Sequence, residues 1–153
     1  MIKNLQEYYA QAGSGKSTKI IPAIMYNNFT LYKCKKFLII GVEPENTYEK
    51  DFLKLYTKQC GFLGLFSLSL NIKIEYHYLP FMTLEDHRKQ LSEYLSQSDS
   101  DTNIIIDEIG VIIRNIDGDD LTKYFIDCLR LFPYKQLTVI GQSQFDFRYS
   151  LYL

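Results

Sequence analysis

Near its amino terminus the chain reads Ala10-Gln11-Ala12-Gly13-Ser14-Gly15-Lys16-Ser17-Thr18. A phosphate-binding loop consists of Gly, four unrestricted positions and then Gly-Lys followed by Ser or Thr. The last three elements are present as Gly15, Lys16 and Ser17, and Ala10 stands where the motif begins with Gly. Alanine is tolerated there if its φ is negative, so the stretch predicts a loop that binds the phosphates of a nucleotide.

Each residue type in this loop has a physical task. Gly13 and Gly15 allow a tight turn in which backbone N–H groups point at phosphate oxygens. Lys16 supplies a positive charge for the β- and γ-phosphates, and Ser17 supplies a hydroxyl for Mg²⁺. The positive end of the following helix dipole adds to the attraction. The residues predicted to bind nucleotide are Ala12, Gly13, Ser14, Gly15, Lys16, Ser17 and Thr18.

The motif is meaningful only between a strand and a helix. Residues 5–10 are short and rich in Tyr, which is typical of a strand, and residues 18–29 carry apolar side chains at helical spacing. Pro22 is unfavourable inside that helix because it removes one backbone donor. The simpler alternative is a Gly-Ser turn that precedes a lysine by chance.

The composition is that of an ordinary globular protein. The 153 residues suffice for one domain with a core, and 46% of them are apolar and 23% charged. The net charge of −1 gives no overall basic field for nucleic acid. Cys34, Cys60 and Cys128 are too far apart for a zinc or redox motif. Reduced thiols are typical of an intracellular protein, which would be in the host cytoplasm if the protein is viral.

Two segments bear on membrane contact. Residues 1–9 are short and polar, so no signal peptide is predicted. Residues 61–72 are apolar, but they are fewer than the ~20 residues of a membrane span and they include Ser and Asn. We therefore predict no membrane span, and we expect residues 61–72 to contribute to the core, with a loop that touches a membrane as the alternative.

Strands and helices alternate along the chain. The apolar run at 36–42 predicts a strand buried on both faces, and the alternation at 72–78 predicts a half-exposed strand. Further strands are predicted at 103–106 and 137–140, and helices at 18–29, 48–61, 84–95 and from 119 or 120 to 132. This order predicts an α/β protein with a three-layer α/β/α fold and a mainly parallel central sheet.

Polar side chains follow two of the predicted strands. Asp107 and Glu108 come directly after the strand at 103–106. In a P-loop protein an aspartate at such a strand end holds Mg²⁺, and a glutamate beside it can accept a proton from the attacking water. Gln142 and Gln144 follow the strand at 137–140. Because ligands bind beyond the carboxyl ends of parallel strands, these ends and the loop at 10–18 are expected to converge. A buried strand that leaves the core through an acidic turn is the alternative.

These three motifs together resemble the additional-strand catalytic-glutamate class of P-loop ATPases. In that class the strand with the polar tip lies between the other two strands. Within the class, the chain is most similar to FtsK/HerA-type motors, which include viral genome-packaging ATPases and zonular-occludens-toxin-like assembly ATPases of filamentous phage. The resemblance implies ATP and Mg²⁺ as cofactors, with Ser17 and Asp107 as metal ligands. It implies catalytic roles for Lys16, Glu108 and Gln142, or Gln144 in place of Gln142.

The resemblance also implies partners. Motors of this type act on DNA or RNA, and they complete the site with an arginine from a neighbouring subunit. A homo-oligomer is therefore expected, with Arg148, Arg130 and Arg114 as candidates for that arginine. A surface ion pair is the simpler interpretation of each.

Three other functions remain compatible with the sequence. A superfamily-one helicase motor domain would need a second motor domain from elsewhere. A small-molecule kinase of the nucleoside type would need an acceptor pocket and an arginine-bearing lid, and the chain has few, dispersed arginines. A nucleotide-binding switch or scaffold would bind ATP without turnover.

Overall fold

A computed structural model describes residues 4–9, 19–69, 71–79, 84–107 and 127–141. The strands are β1 (Leu5–Tyr9), β2 (Lys36–Gly41), β3 (Lys73–Tyr78), β4 (Thr102–Ile106) and β5 (Gln136–Gly141). The helices are α1 (Ile21–Tyr32), α2 (Tyr48–Ser69) and α3 (Leu84–Leu95). Residues 127–131 are also helical, whereas the predicted start of that helix at 119 or 120 lies outside the described residues.

The strands form one sheet in the order β1-β5-β4-β2-β3, and all pairings between them are parallel. The register places Ile40 opposite Ile106 and Tyr8 opposite Ile140. Parallel neighbours require crossover connections, which the intervening helices supply. The predicted α/β class and three-layer arrangement are confirmed, with a sheet that is wholly parallel among the described strands.

The core lies on both faces of the sheet because the central strands carry apolar side chains on both faces. Leu38 and Ile40 of β2 pack on one face with Leu91 and Leu95 of α3. The alternate residues Phe37 and Ile39 pack on the other face, against a second cluster that contains α1 and the first half of α2. This pattern confirms the prediction that the run at 36–42 is buried on both sides.

Pro22 does not disturb α1. It lies in the first turn of the helix, where the backbone N–H groups have no intrahelical partner in any case. From there α1 runs on to Tyr32.

The prediction that residues 61–72 contribute to the core holds for Ile72, which packs against the second cluster, and is wrong for Phe62 and Leu63. Gly61 adopts φ 76° and interrupts α2, which then continues to Ser69. Phe62 and Leu63 directly after it are 78% and 85% exposed. The predicted helix end near Gly61 is thus a break between two helical segments, and Phe62 and Leu63 lie outside the core. No helix within the described residues is both long and apolar enough to cross a membrane.

A buried network of side-chain hydrogen bonds joins α1 to three strands of the sheet, β1, β4 and β5. The Asn28 side-chain amide of α1 donates to Gln6 Oε1 of β1 at 2.9 Å and to Asn103 Oδ1 of β4 at 2.8 Å. Asn103 in turn donates to Thr138 Oγ1 of β5 at 3.1 Å, and Thr138 donates back to Gln6 Oε1 at 3.0 Å. Satisfied networks of this kind fix one arrangement of the elements that they join.

Asn28→Ala is expected to destabilise the protein by about 2–4 kcal/mol, because it removes the donor to the buried Asn103 Oδ1 and both hydrogen bonds to the Gln6 amide. The free energy of unfolding from urea titration measures the effect. Asn27 lies on the same helix but is exposed, so Asn27→Ala should change stability by less than about 0.5 kcal/mol. Equal stability of the two variants would show that the network contributes nothing.

Candidate functional site

Three of the predicted site segments follow strands whose carboxyl ends lie side by side. β1 ends at Tyr9, β5 at Gly141 and β4 at Ile106, and these strands are neighbours in that order. In a parallel sheet all carboxyl ends meet at one edge. β5 therefore separates β1 from β4, which is the position that the resemblance implies for the strand with the polar tip.

Most of the predicted site residues lie outside the described residues. This holds for the loop residues Ala12, Gly13, Ser14, Gly15, Lys16, Ser17 and Thr18, and for Glu108, Gln142 and Gln144. Their predicted roles stay predictions. Asp107 is the predicted site residue whose surroundings are described.

Asp107 is held at the end of β4 by contacts with two other elements. Its side chain is only 2% exposed, and its backbone N–H donates to the Ile40 carbonyl at 2.8 Å. The Tyr48 hydroxyl donates to the Asp107 carboxylate through Oδ2. Tyr48 is itself 3% exposed, so this hydrogen bond lies in a weakly solvated environment. A charge-assisted bond in such a site orients the carboxylate firmly.

The start of α2 places Tyr48. The Tyr48 backbone N–H donates to Asn46 Oδ1 at 3.0 Å, as at a helix N-terminus. The preceding residue, Thr47, donates its hydroxyl to Asp51 at 2.7 Å. The loop from β2 therefore ends in a capped turn that directs the first tyrosine of α2 towards the end of β4.

Tyr76 of β3 extends this arrangement. Its ring centroid lies 5.7 Å from that of Tyr48, and its hydroxyl donates to the Glu43 carbonyl at 2.5 Å. Burial, and next to it the negative charge of Asp107, raise the pKa of Tyr76 to about 12. The Asp107 cluster, by which we mean Asp107, Tyr48 and Tyr76, thus links a carboxylate to two tyrosines on neighbouring elements.

Gly41 provides the space for Tyr76. A Cβ at position 41 would lie 2.5 Å from the Tyr76 hydroxyl oxygen and 3.0 Å from a ring carbon. The glycine at the end of β2 is therefore required by the close approach of the Tyr76 ring.

Gly41→Ala is expected to displace the Tyr76 ring, break its bond to Glu43 and destabilise the protein by about 1–3 kcal/mol. A double-mutant cycle in urea checks this. Tyr76→Phe removes the clashing oxygen, so Gly41→Ala should lower the free energy of unfolding by less in the Tyr76→Phe protein than in the wild type. Additive effects would contradict the steric account.

The raised pKa of Tyr76 also sets a pH dependence. The folded-state pKa lies above the ordinary value of 10, so this group adds stability below pH 10 that is lost as the pH rises towards 12. In Tyr76→Phe, the part of the stability loss at alkaline pH that comes from ionisation of Tyr76 should disappear.

A groove of about 800 Å³ lies between α2 and β3, beside the Asp107 cluster. Its lining includes Tyr48 and Tyr76 but not Asp107. Apolar side chains from β2, α2 and β3 contribute Ile39, Leu53 and Ile74. The groove therefore borders the tyrosines that orient Asp107 without containing the carboxylate.

The predicted metal pair is only partly described. Asp107 offers carboxylate oxygens, which are the ligands that Mg²⁺ prefers, and Ser17 lies outside the described residues. Among the residues that the structure describes, no group of three or more His, Cys, Asp or Glu side chains is positioned to hold a metal ion. The chemistry of Asp107 thus fits Mg²⁺ bound by one or two protein ligands together with phosphates and water.

Of the candidate arginines, only Arg130 is described. It is exposed on the helical residues 127–131, which precede the amino end of β5. Arg130 therefore lies towards the edge of the sheet formed by the amino ends of the strands, opposite the edge that holds Asp107. Arg114 and Arg148 lie outside the described residues.

Sequence reasoning missed the tyrosines of the Asp107 cluster. Tyr48 begins the stretch 48–61 that predicts a helix, and Tyr76 belongs to the alternation at 72–78 that predicts a strand. A buried tyrosine hydroxyl needs a polar partner, and that requirement is the signal that could have pointed to them. The sequence offered no means of identifying the partner.

No protein-family model matches the chain, and no curated protein matches it in sequence. The class of the protein therefore rests on architecture. The described residues form an α/β fold with five parallel strands, helices on both faces and a buried aspartate at the carboxyl edge.

Proposed function

We propose that the chain is a Mg²⁺-dependent P-loop ATPase of the additional-strand catalytic-glutamate class. The observation that carries the proposal is the position of β5 between β1 and β4, together with the burial of Asp107 at the end of β4. The loop at 10–18 follows β1 directly in sequence, so a loop that binds phosphate would lie at the edge where Asp107 is held.

The reaction is the in-line attack of water on the γ-phosphorus of ATP. Glu108 takes a proton from the water as the new P–O bond forms, and the bond to the β–γ bridging oxygen breaks with release of ADP. Lys16 and the loop amides stabilise the negative charge that develops on the phosphate oxygens. Gln142, or Gln144, contacts the γ-phosphate and positions the water.

Ser17 and Asp107 hold Mg²⁺ in this proposal, and the ion neutralises phosphate charge when it is bound. Asp107 has one carboxylate oxygen engaged by the Tyr48 hydroxyl. Partners that orient a metal ligand in this way commonly tune the affinity of the site. Tyr48 is therefore a positioning residue for the proposed metal ligand.

Tyr48→Phe is expected to raise the Mg²⁺ concentration for half-maximal hydrolysis by about tenfold, because the Asp107 carboxylate loses its orienting donor. A Mg²⁺ titration of the ATPase rate measures it. Tyr76→Phe is the matched control, since the Tyr76 hydroxyl donates to Glu43 and not to Asp107. The same Mg²⁺ dependence in all three proteins would exclude the positioning role.

We further propose that hydrolysis drives a nucleic-acid motor for viral genome packaging or virion assembly. The chain would act as an intracellular homo-oligomer in which an arginine of a neighbouring subunit completes the site. This proposal rests on the resemblance of the three motifs. Light scattering with and without ATP tests the oligomer.

Phosphate release from ATP separates this function from its alternatives. The full chain is assayed alone, with single-stranded DNA, with duplex DNA, with RNA and with a panel of nucleosides. Stimulation by a nucleic acid supports the motor. Phosphoryl transfer to a nucleoside would identify a kinase, and ATP binding without turnover in every arm would identify a switch or scaffold.

A further inference from the structure

An exposed apolar tip follows the break in α2. Phe62 and Leu63 are 78% and 85% exposed, and Gly61 with φ 76° separates them from the first half of the helix. The sequence of residues 61–70 is Gly-Phe-Leu-Gly-Leu-Phe-Ser-Leu-Ser-Leu, without a charged residue. Two adjacent large apolar side chains at this exposure are unfavourable in water unless another surface covers them.

The charged residues nearest the tip in sequence are basic, and one of them, Lys73, pairs with Glu75 at 2.8 Å. Between Asp51 and Glu75 the sequence contains Lys54, Lys58 and Lys73 and no acidic residue. Lys54 and Lys58 are one turn apart on α2, and both are exposed. Neither forms an ion pair with any residue in the described part of the chain. Two exposed cations thus lie within two helical turns of the break that precedes the tip.

The tip and the proposed nucleotide site lie at opposite edges of the sheet. α2 begins with Tyr48 beside Asp107, and the residues from there to the tip span roughly 20 Å at ~1.5 Å per residue. The tip follows Cys60, whose thiol lies 3.9 Å from the Tyr26 hydroxyl of α1. A surface that covers the tip would therefore leave the Asp107 edge open.

We infer that this tip binds the interface of an anionic lipid bilayer. Phe62 and Leu63 enter the boundary between headgroups and acyl chains, while Lys54 and Lys58 contact anionic headgroups. A lipid surface satisfies both the apolar and the cationic groups. A nucleic acid would use the lysines but would leave Leu63 without a partner.

Sedimentation with large unilamellar vesicles tests the inference on the full chain. One vesicle contains phosphatidylcholine alone, and the other contains phosphatidylcholine with phosphatidylglycerol. Binding to the anionic vesicle is expected to be at least tenfold stronger and to weaken with salt. The double variant Phe62→Ser/Leu63→Ser should lose at least tenfold in binding, and Lys54→Gln/Lys58→Gln should lose binding and most of the salt dependence.

Matched controls come from the opposite face of the sheet. Leu131 is 74% exposed beside residues of the other core cluster, and Lys89 is exposed on α3. Leu131→Ser and Lys89→Gln should bind vesicles like the wild type. Circular dichroism should show the wild-type fold in every variant, because the substituted side chains are exposed.

Three results would overturn the inference. One is the absence of binding to either vesicle. Another is binding that the Phe62→Ser/Leu63→Ser variant retains in full. The third is self-association or oligonucleotide binding that the tip variants lose, in a protein that does not bind vesicles.

Discussion

Lys16→Ala is expected to abolish ATP hydrolysis, with kcat/KM lowered by about a thousandfold or more. The lysine charge contacts the β- and γ-phosphates in this account, and removal of one stabilising group from a charged transition state costs about 10²–10³ in rate. Loss of ground-state phosphate binding adds to that factor. Steady-state release of phosphate from ATP, measured over a range of ATP concentrations, gives kcat/KM for both proteins.

Lys19→Ala is the matched control for this prediction. Lys19 is exposed just before α1 and belongs to no part of the predicted site. The Lys19→Ala variant lacks the same type of side chain three positions further along the chain, so its kcat/KM should stay within about twofold of the wild type. Thermal unfolding of both variants shows whether the fold is kept. Similar activity of Lys16→Ala and the wild type would remove the loop at 10–18 from the mechanism.

Glu108→Gln is expected to keep ATP binding and to lower kcat by about a thousandfold. The amide has the size of the carboxylate but cannot accept the proton of the attacking water, and general-base catalysis is worth about 10²–10⁴ in rate. Calorimetric titration measures ATP binding, and single-turnover phosphate release measures the chemical step.

Glu45→Gln makes the same chemical change at an exposed position in the loop between β2 and α2, and it should hydrolyse ATP at the wild-type rate. Glu108 follows Asp107 directly, so loss of binding in Glu108→Gln would indicate that Glu108 holds the metal or the nucleotide. Normal hydrolysis by this variant would show that the general base is another group.

The sheet could be predicted from sequence because the apolar run of each central strand is recognisable within that strand alone. The runs at 36–42 and 103–106 are apolar at almost every position, which only a strand covered on both faces requires. The alternation at 72–78 likewise predicted the edge strand β3. Hydrophobic patterning is a property of neighbouring residues, so it can be recognised without knowledge of the tertiary structure.

The Asp107 cluster could not be predicted in the same way. Tyr48 and Asp107 are 59 positions apart in sequence, and their hydrogen bond depends on how α2 packs against β4. Asn28 of the buried amide network posed a similar problem, because a polar residue on a helix is usually solvated. Long-range polar pairs leave no periodic signal.

At the exposed tip, the sequence predicts burial and the structure shows exposure. Residues 61–72 were expected in the core because they are apolar, yet hydrophobic composition alone does not determine burial. Gly61 with φ 76° changes the direction of the chain before Phe62 and Leu63. A backbone break at a glycine, rather than the apolar composition, places these side chains in solvent.

The buried amide network bears on the proposed site through the elements that it joins. Gln6, Asn103 and Thr138 belong to β1, β4 and β5, the strands that precede the three predicted site segments. The network therefore fixes the relative positions of these strands. A P-loop ATPase needs that rigidity, since its catalysis depends on the placement of groups from all three strand ends.

The most direct test of the proposed ATPase is phosphate release from ATP by the wild-type chain, measured in Mg²⁺ and again with excess EDTA, with and without nucleic acid. The account predicts release in Mg²⁺ and none above background in EDTA. Absence of release in Mg²⁺ under every condition, or an equal rate in EDTA, would contradict it.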